Sequence, residues 1–348
     1  MTHQSLPAGL HPETLAVRQA QPRSHWGEHC EALFMTSSFV QPDCATAAAR
    51  FANPQEGFTY SRTGNPTVAS FEERLAAMEG TECAVATSTG MSAILLVALT
   101  ALKAGDHIVA SQSMFGSTMR LLGTEMARFG IESTFVPQTD AQAWAAAIRP
   151  NTKLLFAETP TNPLTDLCDI QALADIAHHH GALLVVDNSF ATPVLQRPVE
   201  FGADIVVHSG TKFLDGQGRI MIGAVCGTTA LVDKVMGTFL RSGGLNAAPY
   251  NAWTAMKGLE TLALRVKAQS ASALQLAQWL EQQPLVERVF YPGLPSHPQH
   301  ALAMRQMGGM GGSVVASINL AQGKRRVAEI NITQSLVLPA LLIALLSA

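Results

Sequence analysis

The 348-residue chain has no apolar run long enough to cross a bilayer. Its longest, SLVLPALLIALLSA at 335–348, is about 14 residues against the roughly 20 a spanning helix needs, and Pro339 interrupts it. The N-terminal stretch MTHQSLPAGLHPETLAVRQ has no apolar segment after a basic start, so a secretory signal is not expected. Basic charge is also in short supply: 23 Lys and Arg stand against 26 Asp and Glu, for a net charge of -3. Without a basic stripe, nucleic-acid partners are excluded. The five cysteines (Cys30, Cys44, Cys83, Cys168 and Cys226) form no C-x-x-C pair, and their odd number speaks against a disulfide framework. A reducing, cytoplasmic setting is expected. Internal repeats and low-complexity tracts are absent as well.

What remains is 47% hydrophobic residues over a length that can bury a large core, enough for one big domain and a smaller one. From about residue 60, short apolar runs alternate with longer amphipathic ones, which predicts a mostly parallel sheet covered by helices. The predicted strands are CAVATS (83–88), HIVAS (107–111), STFV (133–136), KLLFAE (153–158), ALLVVD (182–187), DIVVHS (204–209) and IMIGAVC (220–226). Residues 1–60 lack this alternation and read as an extended arm lying on something else, a second subunit being the natural candidate. Residues 61–250 form the α/β domain. A composition shift near 250 opens a smaller α+β domain at 251–348, with a long helical stretch at 251–283 and strands at VERVFYP and SVVASINL.

Ligands of open α/β sheets sit beyond the carboxyl ends of the strands. Four such ends stand out. ATSTGMSAI (86–94) passes from strand to helix through hydroxyls and Gly90, a cradle for phosphate or, more plainly, a helix cap. FAETPTNP (156–163) carries Asn162 in a turn that Asn-Pro chemistry alone could explain. LLVVDNSFATP (183–193) ends an apolar run on Asp187, which calls for a cation or for capping donors. HSGTKFLDGQGR (208–219) follows a strand with Ser209, Thr211 and Lys212, and a lone lysine there could be a surface charge. Together they are the parts that pyridoxal phosphate requires: a lysine to form the Schiff base, an acid for the pyridine nitrogen, a cradle for the phosphate. Only lysine suits the first role, since arginine does not deprotonate.

With YSRTGNPT (60–67), TSTGMSAI (87–94), ETPTNP (158–163), VVDNSFATP (185–193) and HSGTKFLDGQGR in this order and spacing, the chain resembles the Cys/Met-metabolism pyridoxal-phosphate family over roughly 12–325. That family holds cystathionine synthases and lyases and homoserine sulfhydrylases. The resemblance implies a fold type I, aminotransferase-like α/β architecture. It also implies Lys212 as the Schiff-base lysine, Asp187 at the pyridine nitrogen and Asn162 near the phenolic oxygen. Gly90, Met91, Ser209 and Thr211 would hold the phosphate, with Tyr60 and Arg62 reaching it from a neighbouring subunit of a homotetramer built from dimers. Phe115 stands where many relatives stack a tyrosine on the ring, which keeps stacking and gives up a hydroxyl.

LDGQGR, GEHCEALFMTSSFV (27–40) and SMFGST (113–118) resemble the sulfhydrylase branch. The expected reaction is γ-replacement, turning O-succinylhomoserine and sulfide into homocysteine and succinate. Elimination by a γ-lyase and a cystathionine synthase reaction are the enzymatic alternatives. A remnant that binds only the cofactor or partners is the non-enzymatic one. From about residue 328 the sequence leaves the family's pattern, which reads as a truncation or frameshift of the second domain. A serine loop and the arginine that would clamp the substrate's α-carboxylate are not recognisable. Three plainer features complete the reading. His178, His179 and His180 form a solvated helix end, MGGMGGS (307–313) a turn, and Cys168 and Cys226 core positions.

Overall fold

A computed structural model describes residues 6–7, 9–53, 56–284, 286–308, 313–320 and 324–331. Seven strands build the main sheet: β1 (Cys83–Thr87), β2 (His107–Ser111), β3 (Glu132–Val136), β4 (Thr152–Glu158), β5 (Leu183–Asp187), β6 (Ile205–Ser209) and β7 (Gly223–Gly227). Their order is β1-β7-β6-β5-β4-β2-β3. From β6 to β3 all pairings are parallel, while β7 runs antiparallel to both β6 and β1. Two reversals in succession restore direction, so β1 ends at the same edge of the sheet as β6, β5, β4 and β2. The predicted strand 220–226 starts later than expected, because Ile222 spends its N–H and carbonyl on the Thr211 turn before the ladder begins.

Helices cover both faces: α1 (Pro12–Arg18), α2 (Cys44–Ala52), α3 (Pro66–Glu79), α4 (Gly90–Ala101), α5 (Gly116–Arg120), α6 (Ala141–Ala146), α7 (Ile170–His179), α8 (Thr192–Leu195), α9 (Thr238–Gly243), α10 (Pro249–Leu259), α11 (Leu262–Glu281) and α12 (His300–Met307). The strands between them are apolar almost throughout because neither face meets water. Side chains alternate between two cores. Val85, Ile108, Leu154, Phe156, Val185, Ile205 and Val207 pack with α4 on one side. Leu155, Ala157, Leu184 and Val186 pack with α7 on the other, and Ala86, Val206 and Ala224 with α3 and α10. Cys168 and Cys226 are buried, as expected of core positions, and the burial pushes the Cys168 thiol up to about 12.

Three expectations are refined. The arm is not simply extended, since Pro12 and Asp43 start α1 and α2 within it. The stretch 251–283 is two helices, α10 and α11, broken at Glu260 and Thr261. A small antiparallel sheet, β8 (Val286–Phe290), β9 (Ser313–Leu320) and β10 (Lys324–Asn331), contains a strand that was not anticipated, β10. Residues 332–348, part of the stretch from about 328 expected to leave the family's pattern, and residues 309–312 of the glycine-rich turn lie outside the described residues.

The exposed edge of β1 is blunted by Glu72 of α3, whose Oε1 accepts from the Ala86 N–H at 2.7 Å. Burial pushes the Glu72 carboxyl up to about 7. The arm is tied down by another carboxylate, Glu31, which meets Arg74 of α3 and Lys257 of α10. Burial opposes that charge, but the Lys257 hydrogen bond and the Arg74 guanidinium overcome it and hold Glu31 at about 2.

Replacing Glu31 with Ala leaves the fully buried Arg74 short of its partner and should destabilise the fold by about 3–5 kcal/mol in urea titrations. Since the folded-state pKa of Glu31 lies below its ordinary 4.5, its contribution in the intact protein is complete above that value and is lost as pH falls towards 2.

Candidate active site

Strand parity gathers the site. Counting outward from the side chains that pack on α4, the last residues of β1, β6, β5 and β4 (Thr87, Ser209, Asp187 and Glu158) fall on that same face. Register aligns them further. Glu158 pairs with Asp187, Asp187 with Val207, and Gly223 lies between Thr87 and Ser209.

Above Ser209 stands the N-terminus of α4. Thr89 caps it, its Oγ1 accepting from the Ser92 N–H at 3.0 Å, and Ser92 Oγ also bonds Ser88 Oγ at 2.9 Å. Among the described residues the N–H groups of Gly90 and Met91 have no partner, and they open a helix whose dipole favours an anion there. The approach is close enough to require two glycines. A Cβ at Gly90 would sit 2.7 Å from the Ser209 Cβ, and one at Gly223 would sit 2.1 Å from the Thr89 carbonyl oxygen. Gly223 was missed in the sequence, where a glycine inside an apolar run was the available signal.

Asp187 is held by Ser189, whose N–H and Oγ–H donate to Oδ1 at 3.0 and 2.5 Å. The same Oγ accepts from the Ser209 N–H at 2.6 Å, linking β5 to β6. Burial nevertheless raises the Asp187 pKa, with the Ser189 hydrogen bonds and the nearby His208 only partly offsetting it. On the opposite face His208 Nε2 bonds Glu79 Oε1 at 2.5 Å, and Asn188 Nδ2 donates to the same oxygen at 2.9 Å. Glu79, His208 and Asn188 were not singled out in the sequence; their pattern, polar residues inside apolar runs, was legible only as a cost.

Lys212 follows β6 in a turn closed by its N–H on the Ser209 carbonyl and by the Gly216 N–H on its own carbonyl, at 3.1 and 2.8 Å. Its side chain is exposed, and among the described residues its ammonium has no hydrogen-bond or ion-pair partner. Thr211 uses its hydroxyl on Ile222, donating to the carbonyl at 3.4 Å and accepting from the N–H at 3.1 Å. Phe115 is an exposed residue, at 49%, and Asn162 has a side-chain amide without a partner among the described residues.

Glu158 joins these two. Its Oε2 accepts from the Phe115 N–H at 2.9 Å and its Oε1 from the Asn162 N–H at 3.2 Å. Burial, and next the negative charge of Asp187, push its pKa up to about 8. Tyr60 and Arg62 are not drawn in. Arg62 lies over the Tyr60 ring at 5.6 Å and donates to the Arg241 carbonyl, and none of their described contacts reaches Lys212, Asp187 or Phe115.

An aldehyde-bearing, anionic and pyridine-containing cofactor fits these residues. Among the described residues two N–H groups at the α4 N-terminus are unpaired, the partly exposed Asp187 carboxylate has no cation, and the Lys212 amine has no partner. The family model described as Cys/Met metabolism PLP-dependent enzyme matches residues 13–344, so the match extends past residue 328, where the sequence was expected to leave the family's pattern. The chain is 57% identical over 312 residues to an O-succinylhomoserine sulfhydrylase of Pseudomonas aeruginosa, covering 90% of this chain and 77% of that one. It is 44% identical over 314 residues to one from Mycobacterium tuberculosis, again covering 90% and 77%. An L-methionine gamma-lyase of Pseudomonas putida is 40% identical over 306 residues, covering 88% and 77%. Among solved structures, a crystal structure of metB from Corynebacterium glutamicum superposes with a TM-score of 0.84 at 34% identity, covering 89% of this chain and 79% of that one.

A folded protein that keeps a proton on Glu158 up to about pH 8, where the unfolded chain releases it near 4.5, must lose stability as pH rises between those values. Glu72 adds to the decline up to about 7. Urea midpoints of the cofactor-free protein should therefore fall from pH 5 to pH 8, and Glu158→Gln should flatten the part above 7.

Proposed function

The chain belongs to the Cys/Met metabolism PLP-dependent enzyme family, and from that premise we propose that it catalyses γ-replacement on O-succinylhomoserine. Sulfide forms the new C–S bond at the γ-carbon, the C–O bond to the succinyl group breaks, and homocysteine and succinate are released. The observation that carries this reading is the convergence of Asp187, Lys212 and the open N-terminus of α4 at one edge of the sheet. The degree of identity to O-succinylhomoserine sulfhydrylases, above that to the gamma-lyase of Pseudomonas putida, favours replacement over elimination.

Bound pyridoxal phosphate supplies an electron sink for the substrate's α-carbon. The Gly90 and Met91 N–H groups, with Ser209, would hold its phosphate, and Asp187, kept in place by Ser189, would meet its ring nitrogen as a carboxylate. A cation there lowers the cost of charging the partly buried acid. Lys212 Nζ would be the amine that holds the cofactor's aldehyde, and when not so engaged it would carry a proton between carbons of the substrate. Phe115 offers an open aromatic face and no hydroxyl, which leaves proton transfer to Lys212. Asn162 Nδ2 is free to donate to the ring's phenolic oxygen, and Thr211 shapes the turn beneath.

The arm (1–60) carries exposed apolar side chains, Trp26 at 82% and Val40 at 98%, beside Phe51. This surface supports a subunit contact in which Tyr60 and Arg62 complete a neighbour's site in a homotetramer. In this reading residues 61–250 hold the cofactor and the part from 251 forms the second domain. Among the described residues no helix is long and apolar enough to cross a membrane.

Incubation with pyridoxal phosphate, O-succinylhomoserine and sulfide should yield homocysteine and succinate. Formation of 2-oxobutyrate and ammonia with sulfide in excess would instead indicate a lyase, and a protein that develops no visible absorption band with the cofactor would end both enzymatic readings. Lys212→Ala should abolish the band while shifting stability by less than about 0.5 kcal/mol, because its exposed amine holds nothing in the fold.

A further inference from the structure

Glu158 is a buried acid without a counter-ion. Its residue is 4% exposed, and among the described residues it forms no ion pair. Three connections meet on it. The turn after β2 brings the Phe115 N–H to Oε2, the turn after β4 brings the Asn162 N–H to Oε1, and the segment after β3 brings Gln138 Nε2 to its backbone carbonyl at 2.7 Å. The last contact fixes the strand end from which the side chain reaches out, and Gln138 is itself buried.

The residue type is informative. Two N–H donors arriving from different loops need two acceptors on one rigid plane, which a carboxyl group provides. Glutamine would set an NH2 against one of the donors, and an aliphatic residue would leave both amides without partners. A buried carboxyl beside another one is costly: desolvation comes first, the neighbouring Asp187 charge second, and together they carry its pKa to about 8. Elsewhere loop amides meet exposed caps such as Asp43 and Asp140, or the buried Asp215, which unlike Glu158 has an arginine, Arg219, paired with it.

We propose that Glu158 is a positioning residue for the cofactor ring, gripping the backbone of Phe115 and Asn162 together so that the stacking face and the edge amide hold one fixed relation to Asp187. The inference rests on the assignment of these strand ends to pyridoxal phosphate. Glu158 itself need not touch the ring. It acts through the two residues it holds, and through β4–β5 register, which keeps it beside Asp187.

The test compares the holoenzyme with Glu158→Gln and Glu158→Ala, reading the cofactor dissociation constant and the visible circular dichroism, which reports how the ring is seated. Far-ultraviolet dichroism checks that the variants are folded. Losing one hydrogen bond to a charged or strongly polar acceptor should weaken cofactor affinity about tenfold in Glu158→Gln, with a larger loss in Glu158→Ala. The visible dichroism should weaken in the same order, a change that mere loss of stability would not produce in folded protein. Folded variants with wild-type affinity and wild-type visible dichroism would overturn the proposal. Should neither variant fold, hydrogen exchange in the wild-type holoenzyme decides: protection of both the Phe115 and Asn162 amides supports the grip, and unprotected exchange at either overturns it. Wild-type protein that gives no visible band would remove the cofactor assignment and this inference with it, whereas a normal wild-type band beside unaffected variants would remove the inference alone.

Discussion

Two acids end neighbouring parallel strands on one face of the sheet, and the site is organised around the cost of keeping them there. Asp187 and Glu158 are in register, point to the α4 side and are both desolvated. Among the described residues no arginine or lysine side chain neutralises them. It gives Asp187 two Ser189 donors and Glu158 two backbone amides, enough to fix geometry and too little to satisfy a full charge. Such a site is unfinished electrostatically, and the cationic ring nitrogen of the proposed cofactor arrangement would complete it. The partition of roles follows from surroundings: Asp187 has room above it, while Glu158 is closed in by three connections.

The same economy appears behind the sheet. His208, Glu79 and Asn188 sit where alternation would place apolar side chains, and they bond one another instead. Gln196 continues the network, donating to the Asn188 side chain and the Thr159 carbonyl, so the segments after β4 and β5 are fastened from below as well as above. A polar layer of this kind satisfies most of its own hydrogen bonds and favours one arrangement of the strand ends over shifted alternatives.

Much of this was legible in the sequence, and the exceptions have physical causes. The seven main strands were readable because both faces of a parallel sheet are dry, so VVD and IVVHS have no competing interpretation as surface helix. Asp187 and Lys212 were readable because a charge at the end of such a run demands an explanation. Glu158 carries the same signature, an acid ending KLLFAE, but its partners are backbone amides, which leave no trace in side-chain chemistry. Gly223 and Gly90 matter through distances to Thr89 and Ser209 that only the pairing of β1, β7 and β6 creates. The break between α10 and α11 escaped for a related reason. Gly258 is required where the chain passes within 2.2 Å, at a would-be Cβ, of the Leu214 carbonyl oxygen, and that contact is tertiary.

The stretch LDGQGR shows how a motif can be visible while its work is not. As sequence it marks a branch of a family. In the folded chain it braces the lysine turn: buried Asp215 accepts from the Arg219 N–H and Nε, both at 2.8 Å, and Arg265 of α11 donates to the carbonyls of Phe213 and Gly258, each at 2.8 Å. Gly216 adopts a φ of +68° and leaves space that the Arg265 guanidinium fills, since a Cβ there would lie 1.9 Å from Nη1. The turn bearing Lys212 is thus fixed from the start of the long helix that leads into the small sheet. An amine with the role proposed for Lys212 could not drift with a loop, and here its backbone is held at both ends, by Ser209 on the strand and by Arg265 on the helix, while the side chain itself is left free to move.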